Sequence, residues 1–357
     1  MEKNVVYSII VRYDAMNIVV LAGGLSPERD VSLSSGTMAC NALLSLGHRA
    51  ILVDLFFGLP DWDGRSDLFA DAHPLPPYTV SVHEPDLDAL RRSRTEGFND
   101  YIGLNVPELC ERADIVYMGL HDDCGENGML QAFFDERGIR YTGSGSAACH
   151  AAMDKWISKQ IFLENGVLTP SGVLLRADEP FDADRLPIPC VVKPCNGGSS
   201  IGVSVVMRRE ELDAALALAF SCEPSILVEE YVKGRELSCG ILGDRALPPI
   251  EIIPLHGFYD YKNKYQAGAS REVTPAEIPD ETTERIQSIA ERVFSLLGLS
   301  VYGRIDFLLT EQGEAYCLEA NTLPGMTPTS LLPQEAAVVG YSYAQLCDTI
   351  IHLSMEK

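Results

Sequence analysis

Residues 301–321, VYGRIDFLLTEQGEAYCLEAN, constrain the chain more than any other stretch, because two runs of alternating apolar and polar residues flank the turn sequence Glu311-Gln312-Gly313-Glu314. Alternation with a period of two puts every second side chain on one face of a strand, and a Gly-containing break between two such runs marks a hairpin. With the hairpin centred on Gln312-Gly313, Asp306 faces Glu319 and Arg304 faces Asn321 across the ladder. One face then carries two carboxylates, an amide and a guanidinium. Carboxylate and amide oxygens are the hard donors that Mg²⁺ takes, completed by phosphates and water. The same pattern is also that of a solvated strand face with an Arg–Asp pair, and a one-residue bulge would break the register.

The rest of the chain supplies a mixed fold around this hairpin. At 357 residues there is material for two or three domains with their own cores. Residues 17–21, NIVVL, form a buried-strand run. Gly23-Gly24 and then Ser26-Pro27-Glu28 follow, in the order N-cap, first-turn proline and first-turn acid. Strands at 50–55, 115–119 and 140–142 and a helix at 129–137 continue an α/β domain to about residue 149. Residues 57–105 are rich in Pro, Asp and Arg and lack periodicity, which predicts an irregular insertion, and residues 1–15 read as an upstream extension. A helix at 153–165, a strand at 173–175, a hairpin of strands 189–193 and 201–207, a helix at 210–220 and a strand at 225–231 compose a small α+β unit. Strands at 236–242 and 249–253, a polar aromatic loop at 259–270, a helix at 280–297, the hairpin and one final helix complete the chain.

Composition removes several functions. Asp and Glu outnumber Lys and Arg by 51 to 28, a net charge of −23, the wrong sign for neutralising nucleic-acid phosphates. No apolar run approaches the roughly 20 residues of a membrane span, and the short run at 5–11 lacks the basic flank of a secretory signal, so the cytoplasm is the expected location. The ten cysteines include no CxxC or zinc-type spacing and are expected to be reduced thiols.

Three further segments carry candidate chemistry. VVKPCNGGSSIGVSVV, 191–206, is not a Walker loop, since both flanks alternate like strands. Its tip, Gly197-Gly198-Ser199-Ser200, can present backbone N–H groups to phosphate oxygens beside Lys193, or can be a plain flexible hairpin. Only eight lysines occur, and Lys155, Lys193 and Lys264 all sit beside such loops. In GGLSPERDVSLSSG, 23–36, a first-turn Glu28 is favoured electrostatically and can hold a substrate ammonium, although helix capping alone also accounts for it. His121, in MGLHDDCGENG, follows a strand at the place where open α/β sheets put binding loops; a structural histidine is the competing reading.

Taken in order, GGLSPERDVSLSSG, YTGSGSAACHAAMDKWISK, VVKPCNGGSSIGVS, VEEYVKGRELSCGILG, FYDYKNKY, GRIDF and LEANTLPGMTPTSLLP resemble the signatures of the D-alanine:D-alanine ligases of the ATP-grasp superfamily, from about residue 17 to the C-terminus. The resemblance implies an N-terminal Rossmann-like domain (1–149), then an ATP-grasp fold made of a central (150–232) and a C-terminal (233–357) domain, with ATP clamped between the last two. It implies that Glu28 binds the ammonium of the first D-alanine, with Ser199 and Tyr265 completing a hydrogen-bonded triad, and that His121 lies at the same substrate. Lys155, Lys193 and the Ser200 loop would meet ATP phosphates, Lys264 the γ-phosphate, Glu229, Tyr231 and Val232 the adenine, and Glu236 the ribose. Asp306 and Glu319 would hold one Mg²⁺ (or Mn²⁺), Glu319 and Asn321 a second. Arg304 and the Gly325 N–H would form the oxyanion site, with Ser330 and Leu331 receiving the second substrate's carboxylate.

The expected activity is ATP-dependent joining of two D-alanines through an acyl phosphate for peptidoglycan precursors, in a homodimer. D-serine or D-lactate as second substrate is the nearest alternative, against which Tyr265 argues, and a non-catalytic nucleotide sensor is the next. One departure stands out: the family usually carries HGxxGEDG where this chain has HDDCGENG, so Asp122 and Cys124 replace small residues.

Overall fold

The computed structural model describes residues 14–81, 85–121, 123–198, 200–254 and 270–357, the side chains of Asp123 and Cys124 excepted. The expectations for residues 1–13, Ser199, Lys264, Tyr265 and the loop at 259–269 therefore lie outside the described residues. Three sheets organise the rest.

The first is parallel, with β1 (Asn17–Ala22) between β2 (Arg49–Asp54) and β3 (Ile115–Met118). Residues 18–22 are buried, as a continuous apolar run demands when both faces of a parallel strand are covered. Helix α1 (Arg29–Ser45) connects β1 to β2, and its Gly36 permits the close approach, since a Cβ there would sit 2.6 Å from that of Ala22. The helix begins at Arg29 rather than at Pro27: Glu28 is its N-cap residue, and the Ser26 hydroxyl accepts from the Glu28 N–H at 3.2 Å to form the preceding turn. The described residues of 57–105 are largely irregular, with α2 (Leu87–Ser93) among them, and are anchored where the Arg94 guanidinium lies 4.1 Å over the Phe56 ring. After α3 (Val106–Cys110) and β3 come α4 (Asp123–Glu126) and α5 (Met129–Arg137), and residues 140–142 contribute only one bridge, Val116 to Tyr141.

The helix predicted over 153–165 is two helices, α6 (Ser146–Met153) and α7 (Lys155–Glu164). Asp154 breaks them, because its extended backbone lets its carboxylate accept from the N–H groups of Trp156 and Ile157 as an N-cap. Lys155 thereby opens α7. The second sheet is antiparallel, β4 (Gly172–Arg176), β7 (Ser225–Glu230), β5 (Cys190–Pro194) and β6 (Ser204–Val206) in that order, covered by α8 (Leu212–Cys222). β6 starts later than the predicted 201–207 because Gly202 holds a left-handed φ, which extended backbone excludes.

The third sheet runs β11 (Ser270–Val273), β10 (Ile250–Pro254), β8 (Arg235–Leu242), β12 (Tyr302–Leu309) and β13 (Ala315–Asn321), with the short β9 (Arg245–Ala246) beside β8. Helix α9 (Asp280–Leu296) buries Ile286, Ala290, Val293 and Phe294 against it, the spacing of one helical face. The chain ends in two helices, not one: α10 (Leu331–Val338) lies on β8, and α11 (Tyr343–Met355) puts Leu346, Cys347, Ile350 and Ile351 into the same core as β1 and β3.

The β12–β13 ladder pairs Arg304 with Asn321 and Asp306 with Glu319, yet the predicted turn is off by one. The loop closes on Thr310 and Glu314 with Gly313 at φ +83°, and beyond the site Phe307 faces Cys317. A bulge at Leu318 makes up the difference. It turns Leu318 and Glu319 to the same side as Asp306, so an irregularity assembles the carboxylate pair.

Candidate functional site

Two chambers open between the sheets. One, of about 410 Å³, lies between the second and third sheets and is lined by Lys155, Lys193, Gly197, Ser200, Glu229, Tyr231, Val232, Glu236, Arg304, Asp306 and Glu319. The other, of about 310 Å³, is bounded by the N-terminal loops and the start of α10, and is lined by Glu28, His121, Arg304, Glu319, Asn321, Gly325, Ser330 and Leu331. Gly198, Arg304 and Glu319 border both. A long ligand in the first chamber can therefore present one end to a small ligand in the second.

Each chamber is built by short-range contacts. In the second, Ser32 Oγ accepts from the Gly23 N–H at 2.8 Å and donates to the Gly119 carbonyl at 2.7 Å, and Ser26 Oγ donates to the His121 carbonyl at 3.1 Å. These bonds bring the start of α1, with the buried Glu28, beside the loop after β3. His121 is buried with Nδ1 3.0 Å from the Leu323 carbonyl, so that nitrogen carries the proton and Nε2 accepts from Ser35 Oγ at 3.3 Å. Burial pushes its pKa down to about 4, and the imidazole stays neutral. Glu126 Oε1 accepts from the Leu323 N–H at 3.2 Å, locking the same loop to the segment after β13. Ser330 is the N-cap residue of α10, but its hydroxyl bonds Thr327 instead of the first N–H groups of the helix, and Ser330 and Leu331 line the chamber.

In the first chamber, Arg304 grips Asp306 through two bonds of 2.9 Å, and Ser238 Oγ donates to the same carboxylate at 2.7 Å. Lys155 Nζ lies 3.5 Å from Glu319 and donates to the Gly197 carbonyl at 2.7 Å, joining α7 to the Gly loop and to β13. Asn321 Oδ1 is buried and has no hydrogen-bond partner among the described residues.

The comparisons with known proteins agree across the chain. Residues 17–144 match the family model described as D-ala D-ala ligase N-terminus, and residues 178–352 the one described as D-ala D-ala ligase C-terminus. A D-alanine--D-alanine ligase from Pediococcus pentosaceus is 44% identical over 343 residues, covering 94% of this chain and 97% of that protein. The chain belongs to the D-alanine–D-alanine ligase family. Among solved structures, the crystal structure of D-alanine--D-alanine ligase from Bacillus anthracis is similar with a TM-score of 0.74 at 31% identity, covering 96% of this chain and 98% of that one. The same enzyme complexed with ATP gives a TM-score of 0.72 at 28% identity over the same shares.

Within this ligase fold one buried cation escaped the sequence reading. Lys159 is 2% exposed, and its ammonium meets Glu229 Oε1 at 2.6 Å, the Pro170 carbonyl at 2.6 Å and Thr169 Oγ1 at 2.9 Å. Glu229 Oε2 takes Lys193 at 2.7 Å, so a carboxylate on the chamber wall is held between two ammoniums. Burial pushes the Glu229 carboxyl up, but Lys193 and Lys159 outweigh it and hold it below its ordinary range. The available signal was spacing, since Lys159 stands four residues after Lys155 and so on the same side of α7. Glu335 was also missed. It is fully buried on α10, its Oε1 accepts from the Gly240 N–H at 2.9 Å, and burial raises its pKa well above the ordinary carboxyl range.

Proposed function

We propose that this ligase joins two D-alanine molecules into D-alanyl-D-alanine, converting ATP to ADP and phosphate. The reading is carried by the meeting of a larger chamber and a small polar one at Arg304 and Glu319, where the γ-phosphate of a nucleotide in the first would meet a carboxylate substrate in the second. Glu229, Tyr231 and Val232 bind adenine, Glu236 the ribose, and Lys155, Lys193 and the Ser200 loop the phosphates. Ser200 holds a left-handed φ of 58°, a conformation that non-glycine residues keep where surroundings enforce it.

Asp306, Glu319 and Asn321 suit divalent cations: all three offer hard oxygens, and the buried Asn321 Oδ1 has no hydrogen-bond partner among the described residues. Asp306 with Glu319, and Glu319 with Asn321, would hold Mg²⁺ or Mn²⁺, which would neutralise charge on the transferring phosphoryl group. The steps that fall to the chain follow from charge. Glu28 receives the ammonium of the first D-alanine and, with His121 neutral, leaves that substrate's carboxylate oxygen to attack the γ-phosphorus while the bond to the β–γ bridging oxygen breaks and ADP leaves. The resulting acyl phosphate is an electrophile. The amine of the second D-alanine, its carboxylate on Ser330, Leu331 and the α10 N-terminus, attacks the carbonyl carbon. Arg304 and the Gly325 N–H take the developing oxyanion, and phosphate leaves with the former carboxylate oxygen. Ser199, Lys264 and Tyr265 are proposed to close over this site on the strength of the family motif. The domain division at about 149 and 232, a homodimeric assembly and a cytoplasmic location for peptidoglycan precursor synthesis belong to the same reading; no described helix is long and apolar enough to cross a membrane. An ADP-release assay with D-alanine alone, and with D-serine or D-lactate added, tests it: dominant D-alanyl-D-alanine is expected at neutral and alkaline pH, and a preference for D-lactate at neutral pH would overturn the substrate assignment.

A further inference from the structure

Away from both chambers, three side chains converge where the turn after α1 meets the last helix. His48 precedes β2 and is buried, while Asp348 and His352 stand one helical turn apart on α11. His48 Nε2 lies 3.0 Å and His352 Nε2 3.2 Å from Asp348 Oδ1, and the three ligand atoms all fall within 4.8 Å of one another. None of the three lines either chamber. We propose that His48, Asp348 and His352 form a second metal site, for a borderline divalent transition ion of the Zn²⁺ type, that braces α11 to the N-terminal sheet.

Geometry and ligand softness support the assignment. Those separations put a point equidistant from the three atoms no more than about 2.5 Å from each, against Zn–N and Zn–O bonds of about 2.0–2.2 Å, so a contraction of a few tenths of an ångström completes the site. Two imidazoles and one carboxylate suit zinc, cobalt or nickel, whereas the oxygen-only set of Asp306, Glu319 and Asn321 suits magnesium. The Asp348–His352 spacing of four residues is the one by which a helix points two ligands at one ion. Asp348 and His352 are only partly buried, which leaves room for water as a fourth ligand. One rearrangement is required: His48 Nδ1 accepts the Met16 N–H at 3.3 Å, so metal on Nε2 moves the ring proton to Nδ1 and gives up that long bond.

The test uses the full chain, free of any affinity tag, in excess Mg²⁺ so that the oxygen-lined site is occupied. Co²⁺ is titrated as the spectroscopic probe and then displaced with Zn²⁺. One equivalent of cobalt with the visible absorption of a low-coordinate, nitrogen-ligated ion is expected. His352→Gln, which keeps a donor to Asp348, and Asp348→Asn should each weaken binding at least tenfold without changing Mg²⁺-dependent turnover, and Glu319→Gln should leave the cobalt band intact. Absence of the band, wild-type affinity in both His352→Gln and Asp348→Asn, or loss of the band in Glu319→Gln instead, would each overturn the proposal.

Discussion

Replacing Lys159 by Met isolates the contribution of the buried cation behind the nucleotide chamber. The side chain is of similar length, but three contacts of 2.6–2.9 Å vanish, and Glu229, 3% exposed, keeps only Lys193. Breaking a buried pair from one side costs about 3–5 kcal/mol, and the remaining ammonium sets the expectation at the lower end, about 3 kcal/mol, or roughly two orders of magnitude in the folding equilibrium. Urea unfolding of wild type and variant measures it. The sign with pH is fixed by the lowered Glu229 pKa: the carboxylate contributes fully above the ordinary carboxyl range and loses that contribution as pH falls toward the folded-state value. The gap between the two proteins should therefore be widest near neutral pH and shrink on acidification. Adding Glu229→Gln should restore part of the loss, because it removes the under-compensated charge. ATP KM should also rise several-fold in Lys159→Met, since Lys193 must then serve both Glu229 and the phosphates. A loss below about 1 kcal/mol with unchanged ATP KM would refute the reasoning.

Three other outcomes are expected. His121→Asn should flatten the stability profile between about pH 6.5 and 4, because a ring whose folded pKa is about 4 leaves the unfolded chain holding the extra proton in that window, which drains stability on acidification; urea midpoints against pH check it. Glu335→Gln should stabilise the protein at pH 8 and lose that advantage near pH 4.5, since a raised carboxyl pKa makes wild-type folding less favourable as pH rises through the ordinary carboxyl value; parallel unfolding at the two pH values reads it. Gly240→Ala should destabilise by about 1–3 kcal/mol, because the new Cβ would stand 2.5 Å from Leu332 and 2.7 Å from Glu335, on the strand that positions Arg304.

Elements with a strong period are legible in the amino-acid sequence itself. The β1 run, the helix at 129–137, which matches α5, and the pairing of Asp306 with Glu319 follow from local patterns that burial rewards directly. The pairing holds despite a misplaced turn, since the Leu318 bulge supplies the residue that the loop lacks, and alternation alone does not mark a bulge. Asp154 carries an N-cap signal inside an apparently continuous helix, where apolar spacing outweighs it. Glu335 and the His48 cluster depend on contacts between segments distant in sequence, the kind of partnership that no window along the chain contains, and the one local sign of Lys159 is its spacing from Lys155. The residues lining the second chamber are similarly scattered, and their grouping around Glu28 rests on the family motifs, not on periodicity.

The central claim is that the carboxylate of one D-alanine attacks the γ-phosphate where the two chambers meet. D-alanine labelled with ¹⁸O in its carboxyl group tests it most directly, with the released phosphate read by mass spectrometry. Formation and breakdown of an acyl phosphate predicts one labelled oxygen in each phosphate, unlabelled ADP, and loss of both phosphate and dipeptide in Glu319→Gln. Unlabelled phosphate released alongside dipeptide, with the lost carboxyl oxygen passing to water instead, or label appearing in AMP, would contradict the account.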